Sequence, residues 1–362
     1  MTKQLSIGNR AVGSGHPAYI IAEIGSNFDG DLDRAKKLAL TCKEAGADAY
    51  KIQNFLAPKI VSAEGFKNLQ VAFQKKWKKP VVEVYKAAEF PRERVKELAD
   101  HCEGIGIDFL SSPYDEEAVD LLEAIDISAH KIGSGEIDNL EFLTHVAKTG
   151  KPVILSTGAA TLPEIEVAVK TIRDTGNNRI ILLQCVTNYP ATVADSNLRA
   201  MVALGEKFDV LYGYSDHTIG EEQGGDDPLH GVTVPLGAVA LGACVIEKHV
   251  TDDPMRTGPD HPFAMTIDGN FKQMCEAIRA MEKALGDGEK RLMPSEKETV
   301  IIQRRGMYAT RAIQAGEKIA RDMIEFLRPA VGLKPRDILR VVGGTATRGI
   351  AAGEPIKDND IA

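Results

Sequence analysis

The chain has 362 residues, too many for one small core, so one large barrel or two domains is the starting expectation. A hydrophobic share of 43% with 27% charged residues is ordinary for a globular enzyme, and a net charge of −8 argues against a general nucleic-acid binder. No apolar run is long enough to span a membrane and the N-terminus carries no basic-then-apolar leader, so the expected location is the cytoplasm, away from membranes. Five cysteines, an odd number without CxxC spacing, do not suggest a disulfide framework. Cys185 and Cys244 border apolar runs and read as small buried residues rather than nucleophiles.

From residue 19 to about 285, short β-branched runs alternate eight times with helical segments. The strand candidates are 19–24, 48–53, 107–111, 128–132, 152–156, 180–185, 210–214 and 244–248. Amphipathic stretches at 32–45, 92–102, 116–124, 162–175 and 197–207 lie between them, with stop signals at Gly46 and Gly150. Eight such units fit a (β/α)8 barrel. A doubly wound open sheet is the alternative, but no GxGxxG follows the first strand. Two segments are too long for ordinary loops: 54–90, with the single Trp77, and the acidic, glycine-rich 220–231. Both follow strand ends, so both belong on a barrel's catalytic face, as lids or as surface decoration.

The tail is organised differently. A polar stretch around Pro294 leads into an internal repeat in which Arg311 to Ile324 aligns with Arg348 to Ile361, with seven identities in fourteen positions. An Ala-Gly-Glu turn flanked by isoleucines recurs in both copies, which predicts a small, mostly β domain with pseudo-twofold symmetry. The boundaries read from the sequence are a barrel at 1–286, a linker at 287–303 and a tail domain at 304–362.

Chemistry gathers at the strand ends. His217 and His249 follow apolar runs thirty-two residues apart, the length of one strand-helix-strand unit. Two imidazoles at the same end of neighbouring parallel strands make a half-open metal site; the plain alternative is a pair of core histidines. In a barrel alternate side chains point inward, which groups Ser215 with His217 and Glu247 with His249. Glu23, Lys51, Gln53, Lys131, Ser134, Glu136 and Ser156 also fall at strand ends or just beyond them. Inward lysines beside serines and glycine-adjacent amides suit a phosphate, or a phosphate with a carboxylate. Two other readings stay open: a structural Lys–Glu network, and a Schiff-base lysine.

Ten short stretches in order make the chain resemble the sialic acid synthase family. They are Ala22-Glu-Ile-Gly-Ser-Asn, Lys51-Ile-Gln, Ser111-Ser-Pro-Tyr-Asp, Lys131-Ile-Gly-Ser-Gly-Glu, Leu155-Ser-Thr-Gly, Cys185-Val-Thr-Asn-Tyr-Pro, Gly213-Tyr-Ser-Asp-His-Thr, Glu247-Lys-His, Gly258-Pro-Asp-His and Arg304-Arg-Gly. That resemblance implies a TIM barrel followed by a SAF, or antifreeze-like, domain. The implied activity is condensation of phosphoenolpyruvate with an N-acyl amino-sugar to a nonulosonic acid, with release of phosphate. By resemblance, His217 and His249 hold a divalent ion, Mn2+ or Mg2+, and Lys51, Ser112, Lys131, Ser134, Ser156, Thr187 and Ser215 line the phosphoenolpyruvate site. Glu23, Gln53, Tyr189 and Asp260 match positions facing the sugar, and Glu136 or Glu23 handles the proton. Arg328 matches an arginine that reaches the partner's active site in a domain-swapped homodimer. The chain departs from the family pattern at Gly306, where a serine usually follows the two arginines, at Ala330 after Arg328-Pro, in the 220–231 insertion and around Lys78, all on the sugar side or the rim. An unphosphorylated acceptor is therefore expected, because no basic patch beyond residues 75–79 is present to meet a sugar phosphate.

Overall fold

The computed structural model describes residues 3–67, 69 and 79–362. Trp77 and residues 75–78 of the lysine-rich run lie outside the described residues. Two compact units are present, Met1–Gly286 and Asp287–Ala362.

The first unit is a barrel of parallel strands, each followed by a helix. The strands are β1 (Tyr19–Glu23), β2 (Ala49–Asn54), β3 (Asp108–Pro113), β4 (His130–Ile132), β5 (Val153–Ser156), β6 (Ile180–Cys185), β7 (Leu211–Asp216) and β8 (Val245–Thr251). The helices are α1 (Leu32–Glu44), α2 (Val95–Ile105), α3 (Glu116–Ala124), α4 (Leu140–Lys148), α5 (Leu162–Asp174), α6 (Leu198–Phe208), α7 (Thr233–Ala240) and α8 (Lys272–Leu285). Hydrogen-bonded ladders run β3-β2-β1-β8-β7-β6-β5-β4, and the two end strands, β3 and β4, lie side by side to bring the barrel close to closure. The strands are buried almost throughout because helices cover their outer faces, and for that reason they read as continuous apolar runs. Asp31 and Asp115 cap α1 and α3 by accepting from backbone N–H groups of the first turn. Gly46 and Gly150, at φ of +103° and +73°, end α1 and α4 where the sequence placed the stops.

An antiparallel hairpin, Gln4–Ile7 with Arg10–Gly13, precedes the barrel; its Ile7 and Val12 belong to the same buried cluster as the residues of β1. The 54–90 segment contains the Ala57–Ile60, Ala63–Lys67 and Val81–Ala88 helices. Glu89 Oε1 accepts from Ala57 N at 2.6 Å, and Arg92 Nε donates to Asn54 Oδ1 at 3.0 Å, so the base of the segment is fastened at both ends. Residues 220–231 are fastened too. Buried Asp227 accepts from Leu229 N and Thr233 N at the start of α7, and Gln223 Nε2 donates to Ala264 O at 2.9 Å. The segment is thus tethered to the barrel through Gln223 and Asp227, while most of its other residues are exposed.

In the second unit the strands Gly306–Ala309 and Ile324–Leu327 pair antiparallel. The repeat read from the sequence recurs bond for bond. Ile313 and Ile350 exchange both backbone hydrogen bonds at 2.9 Å, as residues across a pseudo-twofold axis should. Arg311 Nη2 donates to Glu317 Oε1 and Arg348 Nη2 to Glu354 Oε1, each at 2.8 Å. Gly316 and Gly353 take φ of +83° and +77°, so each Ala-Gly-Glu turn requires its glycine. The symmetry breaks at Met323, where the second copy has Asp360, buried and bound to Arg348 Nε. Residues 287–303 include the Lys297–Gln303 helix, whose Ile301 carbonyl accepts from Ala330 N at 2.8 Å.

Candidate active site

Parallel register puts charged residues of neighbouring strands next to one another. Glu23 has Lys51 of β2 on one side and His249 of β8 on the other. Gln53 pairs with Ser112, and Ser215 with both Cys185 and Glu247. These side chains converge at the C-terminal ends of the strands around a cavity of about 470 Å³.

One wall is cationic. Lys51 Nζ meets Glu23 Oε2 and donates to Ser112 Oγ at 2.9 Å, while Lys131 Nζ lies 3.5 Å from Glu247 Oε1 and donates to Ile132 O at 3.3 Å. Glu247 Oε1 also lies 3.9 Å from Lys51 and accepts from Ser215 Oγ at 3.4 Å. Two lysines and two carboxylates thus form the internal network that the sequence left as one of its readings. The network is not self-sufficient. Ser156 Oγ is buried without a hydrogen-bond partner, and Lys131 holds only the long contacts just given. Donors left short of acceptors around a cavity suit an anionic ligand.

The charges respond as this arrangement dictates. Burial opposes the charge on Lys51, but Glu23 and Glu247 outweigh it and hold the ammonium above the ordinary lysine range. Burial holds Lys131 below that range despite Glu247, with Lys51 adding to the effect. Glu247 is depressed: Lys131 and Lys51 overcome its burial. Glu23 is raised by burial despite Lys51.

Ser134 Oγ accepts from Gly158 N at 2.9 Å. A Cβ at position 158 would stand 2.1 Å from Thr187 Oγ1 and 2.9 Å from Ser134 Oγ, so only glycine lets these hydroxyls close on the cavity. Glu136, on the same side, is half-buried, accepts from Asn139 Nδ2 at 3.2 Å, and is raised by burial.

The opposite wall carries the imidazoles. The rings of His217 and His249 lie 5.4 Å apart between centroids, and Tyr189 packs on His217 at 4.3 Å. His217 Nδ1 donates to Val186 O at 2.8 Å, which fixes the tautomer and leaves the Nε2 lone pair free. His249 is buried, its Nδ1 has no partner, and burial followed by the charge of His217 holds it well below the usual imidazole range. Burial opposes the charge on His217, but Cys185 outweighs it and holds the ring above the usual imidazole range. With that second proton lost, His217 Nε2 and the unpartnered Nδ1 of His249 fit a divalent cation at the polar cavity. Among the described residues no three His, Cys, Asp or Glu side chains converge as a metal-ligating group.

Asp260 closes the rim. Its Oδ2 accepts from Ser26 N at 2.7 Å and Ser26 Oγ at 2.9 Å, and burial raises its carboxyl. Gly25, at φ of +49°, is required here, since a Cβ would lie 2.2 Å from that oxygen.

Most residues expected from the sequence thus line one cavity; two do not. Glu23 is fully buried behind Lys51 and Gln53, its Oε1 held by Gly25 N and Gln53 Nε2 at 3.0 Å each. Arg328 belongs to the second unit, exposed beyond the strand Ile324–Leu327. Phe55, Tyr85, Tyr114, Cys185 and Phe263 line the cavity without having been singled out. Tyr114 sits inside the Ser111-Ser-Pro-Tyr-Asp stretch and was within reach of a sequence argument. Phe263 carries no local signal.

The NeuB family model matches residues 39–290, and the SAF domain model matches residues 304–362. The chain is 37% identical over 356 residues to the N,N'-diacetyllegionaminic acid synthase of Legionella pneumophila, covering 96% of this chain and 95% of that one. It is 35% identical over 346 residues to the pseudaminic acid synthase of Helicobacter pylori, covering 95% and 98%. Among solved structures it is similar to the N-acetylneuraminic acid synthetase of Leptospira borgpetersenii, with a TM-score of 0.70 at 32% identity over 83% of this chain and 96% of that one. With its barrel, its cavity at the strand ends and its repeat-built tail, this chain belongs to the NeuB family and carries a C-terminal SAF domain.

Proposed function

We propose that the protein is a metal-dependent nonulosonic acid synthase that condenses phosphoenolpyruvate with an unphosphorylated N-acyl amino-sugar. The observation that carries this reading is the pairing, in one cavity, of a cationic wall with two partner-free imidazole nitrogens. Family membership and the names of the relatives given above, synthases of N,N'-diacetyllegionaminic and pseudaminic acid, support it.

Lys51 and Lys131 bind the phosphate and carboxylate of phosphoenolpyruvate, with Ser112, Ser134, Ser156, Thr187 and Ser215 supplying the remaining donors. C3 of phosphoenolpyruvate forms a bond to the aldehyde carbon of the open-chain sugar. Water then adds at C2, and cleavage of the C2–O bond releases phosphate and leaves the 2-keto acid. His217 and His249 would hold Mn2+ or Mg2+, which when bound would supply Lewis-acid polarisation of the aldehyde. Glu136 is the better candidate for the water's proton: it lies on the cavity wall with a raised carboxyl, whereas Glu23 is sealed behind Lys51. Gln53, Tyr189 and Asp260 face the sugar.

An unphosphorylated acceptor suits the rim. A second cavity of about 670 Å³ adjoins the site through Ser26 and Pro259 and is lined by Asp29 and Asp253, and its Arg256 is engaged by Asp29 Oδ2 at 2.9 Å. A sugar phosphate placed there would meet carboxylates before a free cation.

The test is phosphate release from phosphoenolpyruvate with Mn2+ and a panel of N-acyl amino-sugars. Release that requires one sugar and stops with a chelator is expected. A Schiff-base lyase is the second reading, favoured only by the low-lying Lys131. Borohydride trapping of a keto-acid with turnover indifferent to chelator would install it instead.

Arg328 is assigned the partner's active site in a domain-swapped homodimer. Truncation at Gly286 is then expected to leave a folded barrel without turnover, and Arg328→Ala alone to lose most activity. Mixing Arg328→Ala with His217→Ala chains should restore part of it, because one shared site of the hybrid is intact. A truncated barrel that still turns over would remove the role.

A further inference from the structure

Directly before the two candidate ligands of the metal, on neighbouring strands, stands an ion pair that the proposed reaction does not use. Lys248 and Asp216 have side chains with no solvent exposure at all. They face each other in register on β8 and β7, each one residue before a histidine. Strand alternation turns Ser215 and Glu247 into the barrel and leaves Asp216 and Lys248 on the outer side, under the loop that starts α7.

Every polar group of this pair is engaged. Lys248 Nζ donates to Asp216 Oδ2, to Thr218 O, and to Gly231 O at 3.3 Å, which uses its three protons. Asp216 Oδ1 accepts from Thr218 N at 3.2 Å, and Oδ2 also accepts from Thr218 Oγ1 at 2.8 Å. The amide, hydroxyl and carbonyl of Thr218, the residue after His217, are therefore all held by the pair. His217 O in turn accepts from Ala191 N at 3.0 Å. A Cβ on Gly231, at φ of +90°, would lie 2.8 Å from Thr218 O and 2.9 Å from Lys248 Nζ, so the end of the 220–231 insertion is fitted to this ammonium.

A buried pair of this kind adds little net stability compared with apolar residues of the same volume. What it does fix is geometry. We propose that Lys248 and Asp216 are positioning residues that set the separation and orientation of His217 and His249, and through them the affinity for a divalent cation. The proposal rests on the reading of those histidines as metal ligands. The residues flanking His217, Asp216 and Thr218, are both bound by the ammonium of Lys248, the residue before His249, whereas the two rings share no hydrogen bond among the described residues.

The experiment compares the full-length parent with Lys248→Met/Asp216→Leu, which replaces the pair by apolar groups, and with Thr218→Val, which removes one donor to Asp216. Mn2+ affinity is measured without substrate, alongside the melting temperature and a long-range 1H–15N spectrum of the metal-free histidines. The double variant is expected to melt below the parent yet stay folded, because Thr218 N, Oγ1 and O and Gly231 O lose their partners, to bind Mn2+ roughly 10–100-fold more weakly, and to lose the single Nδ1–H tautomer of His217. Thr218→Val, the safeguard if the double variant does not fold, is expected to weaken Mn2+ several-fold in the same direction. Parent-like affinity and an unchanged His217 tautomer in a folded variant would overturn the proposal. If His217→Ala binds Mn2+ as tightly as the parent, the ligand reading fails and the proposal falls with it. That outcome is recognisable because it appears before either positioning variant is compared.

Discussion

Replacing His217 or His249 with alanine is expected to end metal-dependent phosphate release while leaving the barrel folded. Polarisation of a carbonyl by a divalent ion contributes several kcal/mol to a transition state, so a loss of about 4 kcal/mol, or ~10³-fold in rate, is the expected scale. The two variants should differ in stability. His249 Nδ1 has no partner, so its removal strands nothing. Removing His217 leaves the Val186 carbonyl without its donor, at a cost of about 1–3 kcal/mol if water does not take the place. Urea denaturation read beside the rate assay separates the effects. A His249→Ala protein that keeps chelator-sensitive turnover would remove the imidazoles from the mechanism.

Lys51→Met is expected to produce the largest loss of stability available from a single change in the site. It removes the cation that meets Glu23 Oε2 and leaves that carboxylate fully buried, and breaking such a pair from one side costs about 3–5 kcal/mol. Phosphoenolpyruvate binding should fall with it, because the same ammonium faces the cavity. Pairing the change with Glu23→Gln should recover most of the stability and none of the binding. Denaturant midpoints and phosphoenolpyruvate titrations of the three variants check this. A single variant that loses less than about 1 kcal/mol would mean that Glu23 is already neutral in the parent.

The barrel was legible because its strands are parallel and covered. Burial on both faces writes each strand as an unbroken apolar run, and polar residues can interrupt it only where a cavity receives them. Glu23, Lys51, Lys131, Ser156, Ser215 and Glu247 stood out in the sequence for that reason. The hairpin at Gln4–Ile7 and Arg10–Gly13 was passed over although its Gly8-Asn9 turn is a recognised hairpin signal, since each strand spans four residues and shows too little alternation.

By itself the sequence determined the alternation of strands and helices along the barrel, the two histidines and the repeat of the tail, because each is written in local periodicity or spacing. Tertiary structure alone decided what those residues face. It sealed Glu23 behind Lys51 and left Glu136 on the cavity wall, a distinction of depth that no spacing encodes. It also brought Phe263 against His249 at 5.1 Å, set Asp260 against Ser26 across 234 residues, and joined Lys248 to Thr218 and Gly231. Contacts of this range exist only once the barrel brings its ends together, so their partners are selected by packing rather than by local sequence.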